Sequence, residues 1–258
     1  METIRIAILG AAGRMGQILS RQFADDARFK LVARVDSIIK DDGMSPPITR
    51  NLTDAPDFDV LVDFSAPQAT CAAIDSMRIR RAAWIVATTG LTEDVRSQVE
   101  SLASGAPIFV ASNTSVGVAV MQRLCKIAAA ALADWDTEIV EAHHRNKVDA
   151  PSGTALSLAK IVADVYKENG RETSIVTDRT TRREPRPDNV IGISSIRGGT
   201  VAGMHSVTWY GQNEQFQVSH TAESREIFAN GARRIALWLA SKAPGIYDMQ
   251  NLMDDILG

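Results

Sequence analysis

The segment Glu141-Ala142-His143-His144-Arg145-Asn146-Lys147-Val148-Asp149-Ala150-Pro151-Ser152-Gly153-Thr154 gathers two imidazoles, an ammonium group and a helix start into one short stretch. Ile139 and Val140 lead into it as a strand, and the apolar spacing of Ala155, Leu158, Ile161, Val162 and Val165 follows it as a helix. Imidazole and ammonium groups are suited to moving protons in a reaction, which makes His143, His144 and Lys147 candidates for chemistry. Pro151-Ser152-Gly153-Thr154 offers hydroxyls and unpaired backbone N–H groups to a carboxylate, as a helix start does. The joint can therefore hold an anionic substrate and protonate it.

Adjacent residues of a strand point to opposite faces, so His143 and His144 are poorly placed to share a metal. The remaining imidazoles are His205 and His220, with no HxH or HExxH spacing, and no metal site is expected. Cys71 and Cys125 stand alone in apolar segments without CxxC spacing. They read as buried thiols suited to a reducing cytoplasm. Arg182, Arg183 and Arg186 fall in a polar, Pro-containing segment and read as a solvated loop.

A second feature lies near the N-terminus. Gly10, Gly13 and Gly16 form GxxGxxG between a strand and a helix, and Asp36 follows Gly16 by 20 residues at the end of the next strand. Such glycines let a pyrophosphate approach the helix N-terminus, and the spaced carboxylate accepts hydrogen bonds from the adenosine ribose. Thr88-Thr89-Gly90 and Ala111-Ser112-Asn113 both close apolar strands and are expected on the same edge of that sheet.

The elements that must position these residues alternate regularly. Strands are expected at Ile4–Leu9, Leu31–Val35, Phe58–Phe64, Trp84–Ala87 and Pro107–Ala111. Helices are expected at Met15–Phe23, from Pro67 to Met77, and after the hydroxyl cap Thr92, with a polar loop over Lys40–Pro56. That alternation predicts an α/β fold with a Rossmann-type doubly wound parallel sheet. After Asn113 a helix over Gly117–Leu132 precedes the strand carrying His143. Ile191–Thr221 reads as successive strands turning at Gly198-Gly199 and Gly211-Gln212. This predicts a second α+β domain of mixed sheet, and the helix Phe228–Leu239 returns to the first. The expected domains are 1–114, 115–224 and a return over 225–258.

The 258 residues carry 45% hydrophobic and 23% charged side chains, an ordinary globular balance. A formal charge of −3 gives no basic footprint for nucleic acid. No apolar run reaches the roughly 18 residues of a membrane span, and Met1-Glu2-Thr3-Ile4 enters a strand pattern at once, so neither membrane nor signal peptide is expected.

Taken together, these landmarks resemble the 4-hydroxy-tetrahydrodipicolinate reductase (dihydrodipicolinate reductase) family of bacterial lysine and diaminopimelate synthesis. The resemblance rests on Gly10–Gly16 ending in Gly-Arg-Met-Gly, on Asp63-Phe64-Ser65, and on Thr88-Thr89-Gly90. It continues through Asn113-Thr114-Ser115-Val116-Gly117-Val118, the run Glu141–Ala155, and Phe228-Ala229-Asn230-Gly231-Ala232. It implies that His143 is the acid/base residue, Lys147 the proton donor and His144 a substrate contact, while Gly153 and Thr154 bind a carboxylate beside Ser152. It also implies cofactor contacts from Gly10, Ala11, Ala12, Gly13, Arg14, Met15, Asp36, Ala87, Thr88, Thr89, Ala111, Ser112, Asn113 and Thr114. The implied reaction is reduction of a cyclic imine dicarboxylate by NADH or NADPH after loss of water, in a cytoplasmic homotetramer. The chain departs from the family at Ala87, where Gly is common, at Thr114, where an aromatic is frequent, and at Met204, where Glu is usual.

Ser37 follows Asp36 where some members carry Arg, so a modest preference for NADH is expected. Arg14, Arg34 and Lys40 are the cations counted nearby. Two rivals stand beside this reading. A two-domain dehydrogenase of homoserine or sugar type would share the glycine loop without needing the His-His-x-x-Lys run. A nucleotide-sensing protein would bind cofactor without turnover.

Overall fold

The computed structural model describes residues 3–180 and 183–257. The chain divides into two compact units, Met1–Val116 with Glu226–Gly258, and Gly117–Arg225.

In the first unit the chain runs β1 (Ile4–Leu9), α1 (Arg14–Ala24), β2 (Phe29–Val35), β3 (Ile48–Thr49) and β4 (Val60–Asp63). It continues through α2 (Pro67–Arg80), β5 (Ala83–Val86), α3 (Glu93–Ser101) and β6 (Pro107–Val110). In the second unit follow α4 (Val116–Ala131), β7 (Asp136–His143), α5 (Gly153–Glu168), β8 (Ser174–Val176), β9 (Val190–Arg197), β10 (Gly203–Tyr210) and β11 (Gln215–Ala222). The first unit is completed by α6 (Glu226–Leu239), β12 (Gly245–Tyr247) and α7 (Met249–Leu257).

The first sheet has the order β12-β6-β5-β4-β1-β2-β3, and every pairing is parallel. Strands covered on both faces need apolar residues at every position, and β4 and β5 are buried throughout. Ala7, Leu9, Leu61, Trp84, Val86 and Ile108 form one core with Ala73, Ile74 and Met77 of α2 and Val99 of α3. The strand order reverses at β1, so the chain leaves β1 for β2 on one side and β4 on the other. That is the switch point at which such sheets bind ligands.

Three expectations need correction in this unit. The Lys40–Pro56 loop contains β3, which pairs with β2, and a short helical turn over Leu52–Asp54. A two-residue strand is too short to show a period, and only the burial of Ile48 betrays it. Arg34, counted among cations near the cofactor, has no exposed surface and donates to Asp42 and to Ser20 Oγ at 3.2 Å. Cys71 is exposed, because α2 buries Thr70, Ala73, Ile74 and Met77 and Cys71 falls off that face; Cys125 is buried.

The second sheet has the order β11-β10-β7-β9-β8. β10 pairs antiparallel with β7 and β11, whereas β9 pairs parallel with β7 and β8. α4 and α5 cover one face, where Cys125, Ala129, Leu158, Val162 and Tyr166 meet Ile139, Ile191, Val207 and Trp209. Alternation puts Glu141 and His143 on that same face, at the end of β7 nearest the start of α5. Arg186 does lie in a loop, before β9, but it is not solvated: its guanidinium, only 17% exposed, is held by Asp136 and by Glu138 at 3.0 Å. Arg183 is exposed, and Arg182 lies outside the described residues.

Candidate active site

The site in the second unit is built around a buried carboxylate. Glu141 has no exposed surface, and its Oε2 meets His143 Nδ1 at 2.6 Å. Arg197, opposite His143 on β9, closes a bidentate pair with Glu141 at 2.9 and 2.7 Å. Oε1 also accepts the Ser152 N–H at 3.2 Å, which ties the strand end to the start of α5. Burial opposes the Glu141 charge, but hydrogen bonds from Arg197, Ser195 and His143, with the Arg197 charge, hold its carboxyl down at about 2. An ionised Glu141 accepts from His143, which fixes the ring proton on Nδ1 and leaves Nε2 for proton exchange.

His143 Nε2 lies over β10. A Cβ at Gly203 would come within 3.1 Å of it, so glycine there gives the ring its place. Burial lowers the His143 pKa from its ordinary value, the Lys147 and Arg197 charges push the same way, and Glu141 opposes them. His205 stands edge-on to His143, with ring centroids 5.1 Å apart. Burial first, then the His143 charge, bring its pKa to about 4, so it is a neutral ring at ordinary pH.

Lys147 follows a turn in which its N–H donates to the His144 carbonyl at 3.0 Å, and its Nζ pairs with Asp149 at 2.9 Å. His144 is half-buried beyond the end of β7. Ser152 caps α5, its hydroxyl accepting the Ala155 N–H at 3.2 Å and meeting His205 Nε2 at 3.0 Å. Its side chain is therefore occupied. Gly153 is exposed, with open space where a Cβ would be, and Thr154 is half-buried beside it at the first turn. That turn holds no acidic residue, so the helix dipole and its N–H groups favour an anion.

In the first unit the β1–α1 turn has the geometry a dinucleotide-binding loop needs. Gly10 has φ +87°, and a Cβ there would lie 2.7 Å from the Phe64 carbonyl oxygen. A Cβ at Gly16 would overlap the Gly10 carbonyl, so the helix could not seat so close under the turn. α1 has neither a side-chain cap nor an acidic residue in its first turn, which leaves its N-terminus to an anion. Ala11 and Ala12 are buried in the turn, while Arg14 is exposed and Met15 half-buried at the helix start. Asp36 Oδ2 accepts the Ala12 N–H at 3.0 Å, so the carboxylate is fixed against the glycine loop. A cavity of about 510 Å³ is lined by Gly10, Gly13, Asp36, Ser37, Arg50 and Phe64 among others. These features fit the adenosine and pyrophosphate of a nicotinamide cofactor.

Ala87, Thr88 and Thr89 follow β5, and Ala111, Ser112, Asn113 and Thr114 follow β6, at the carboxyl ends of the sheet. Several of their side chains are already engaged: Asn113 Oδ1 accepts the Ser115 N–H at 2.9 Å. Thr88 Oγ1 donates to the buried Asp63 at 2.8 Å, and Thr114 Oγ1 to the Phe228 carbonyl at 2.7 Å. Asp63 also accepts from Ser65 and Thr70, so one carboxylate organises the loops after β4 and β5.

Sequence reasoning assigned no role to Glu141, Arg197, Gly203, His205 or Arg50. Glu141 was open to it, being two residues before His143 on one strand face. The others arrive through strand register. Among the described residues no group of three or more His, Cys, Asp or Glu could hold a metal ion.

This strand order, glycine loop and acid define a Rossmann-type dinucleotide-binding protein with a separate α+β unit. Family models narrow that class. Dihydrodipicolinate reductase, N-terminus, matches residues 4–114, and Dihydrodipicolinate reductase, C-terminus, matches residues 117–253. The chain belongs to the dihydrodipicolinate reductase family. The 4-hydroxy-tetrahydrodipicolinate reductase of Zymomonas mobilis is 40% identical, covering 97% of each chain. That of Alkalilimnicola ehrlichii is 39% identical over 97% of this chain and 99% of its own. A dipicolinate-bound dihydrodipicolinate reductase from Paenisporosarcina sp. TG-14 aligns with TM-score 0.78 at 25% identity, covering 97% of this chain and all of its own. Family membership sets aside the homoserine- and sugar-type alternative.

Proposed function

We propose that this chain reduces 4-hydroxy-tetrahydrodipicolinate to tetrahydrodipicolinate with loss of water, at the expense of NADH or NADPH, in lysine and diaminopimelate synthesis. The observation that carries the reading is the Glu141–His143 pair beside the capped start of α5, in a chain of this family. The first unit would hold the cofactor through Gly10–Met15, Asp36, and the loops at Ala87–Thr89 and Ala111–Thr114. When bound, that cofactor supplies the hydride.

The remaining chemistry belongs to the second unit. The N–H groups of Gly153 and Thr154, with the Thr154 hydroxyl, bind a substrate carboxylate at the helix N-terminus. His144 contacts the substrate from the strand end. Ser152 acts by holding the helix start rather than by touching the substrate. Lys147 Nζ delivers a proton to the reduced ring, and its charge favours the anionic substrate. His143, with Nδ1 committed to Glu141, exchanges its proton at Nε2.

The protein is proposed to work in the cytoplasm as a homotetramer joined through the second unit's sheet. It is proposed to favour NADH modestly, since Asp36 accepts from ribose hydroxyls and repels a 2′-phosphate. The reading is tested by competition. Pyridine-2,6-dicarboxylate presents two carboxylates on a flat ring and is expected to compete with substrate but not with cofactor. Failure to compete at millimolar levels would remove the dicarboxylate pocket.

A further inference from the structure

β3, hidden in what the sequence presents as a loop, carries a charged residue to the cofactor cavity. It pairs in parallel with β2 so that Val35 lies beside Thr49, and the Asp36 N–H donates to the Thr49 carbonyl at 3.0 Å. Continued one residue past β3, this register brings Arg50 level with Asp36, and Arg50 Nη1 donates to the Ser37 carbonyl at 3.3 Å. Asp36, Ser37 and Arg50 all line the same cavity.

We propose that Arg50 is the specificity-determining cation for NADPH, pairing with the 2′-phosphate that Asp36 would otherwise repel. The proposal rests on reading this cavity as the adenosine site. A phosphate esterified to the ribose hydroxyl that Asp36 accepts must lie next to that acid, where a cation is needed. Of the cations counted from sequence, Arg34 is buried against Asp42, and Lys40 Nζ donates to the Ala12 carbonyl at 3.4 Å. Arg14 is exposed at the start of α1 and is not among the residues lining the cavity. Arg50 is exposed and lines it. A guanidinium carries five donors in a planar fork suited to phosphate, and the Ser37 carbonyl takes one of them. Arg50, directly after β3, thus supplies the charge that some family members place directly after the acid.

The test uses the full chain and two nucleotides that differ only in the phosphate concerned, 2′,5′-ADP and 5′-AMP, titrated by calorimetry. Arg50→Gln is expected to lower the affinity for 2′,5′-ADP relative to 5′-AMP by on the order of 10-fold, as loss of a charge-assisted hydrogen bond does. Arg50→Lys should recover part of the ratio, and the NADPH-to-NADH ratio of kcat/KM should fall in Arg50→Gln and partly return in Arg50→Lys. An equal loss for both nucleotides would make Arg50 a structural clip on the Ser37 backbone and overturn the proposal. So would an unchanged ratio. Failure of the cavity reading itself shows separately, as wild-type protein that binds neither nucleotide.

Discussion

The Glu141 carboxylate touches His143, Ser152 and Arg197 at once, so changing it separates orientation of the imidazole from proton transfer by it. Glu141→Gln keeps the shape but removes the charge that opposes burial at His143. The imidazole pKa should then fall further, and the limb of the pH–rate profile that needs imidazolium should move to lower pH. Turnover should drop on the order of 10²-fold, as when the group orienting a catalytic imidazole is neutralised. An unchanged profile would reduce Glu141 to a structural ion pair. His143→Ala and Lys147→Ala should each lower turnover by about 10²-fold or more with cofactor affinity nearly unchanged, read from steady-state kinetics and a cofactor titration. Glu141 also sets an acid limit on stability. Its folded pKa of about 2 lies below the ordinary 4.5, so its contribution is present above pH 4.5 and is lost as pH falls through 2. Denaturant titrations across that range should show the loss in the wild type and less of it in Glu141→Gln.

The start of α5 shows how an element divides work among neighbouring residues. Ser152, Gly153 and Thr154 read from sequence as one carboxylate-binding unit, yet the Ser152 hydroxyl is committed to Ala155 and His205. Ser152→Ala should therefore cost about 1–2 kcal/mol in stability, seen as a lower urea midpoint. Thr154→Val, by contrast, should raise KM for the substrate more than for the cofactor. Comparable KM effects from both variants would place the Ser152 side chain on the substrate after all. The helix start was legible because a hydroxyl cap and a 3.6-residue apolar period both mark it. The commitment of Ser152 was not, since the register of β10 brings His205 to it across 53 residues. β3 and its Arg50 escaped for a related reason: two residues carry no period, and pairing with β2 alone makes them a strand.

At the scale of the molecule, β1, β2, β4, β5 and β6 and their parallel arrangement were legible because strands buried on both faces are continuously apolar and alternate with helices, whereas the strand order and β3 came only with the register. The mixed sheet was legible in part. β9, β10 and β11 announce themselves by alternation and glycine turns, while β8, at three residues, does not. Arg197 could not be assigned, because its partner Glu141 is set by parallel pairing of β7 with β9 rather than by any local spacing. The proposed homotetramer should sediment as four copies of a 27.9 kDa chain. A monomer at micromolar concentration would contradict assembly through the second sheet. The most direct test of the central claim is oxidation of NADH and of NADPH by the wild-type chain, with 4-hydroxy-tetrahydrodipicolinate generated enzymatically in the same solution. Cofactor oxidation is expected to require this substrate, to proceed with both cofactors, and to be lost in His143→Ala and Lys147→Ala. Oxidation that does not depend on the substrate, or persists undiminished in both folded variants, would contradict that claim.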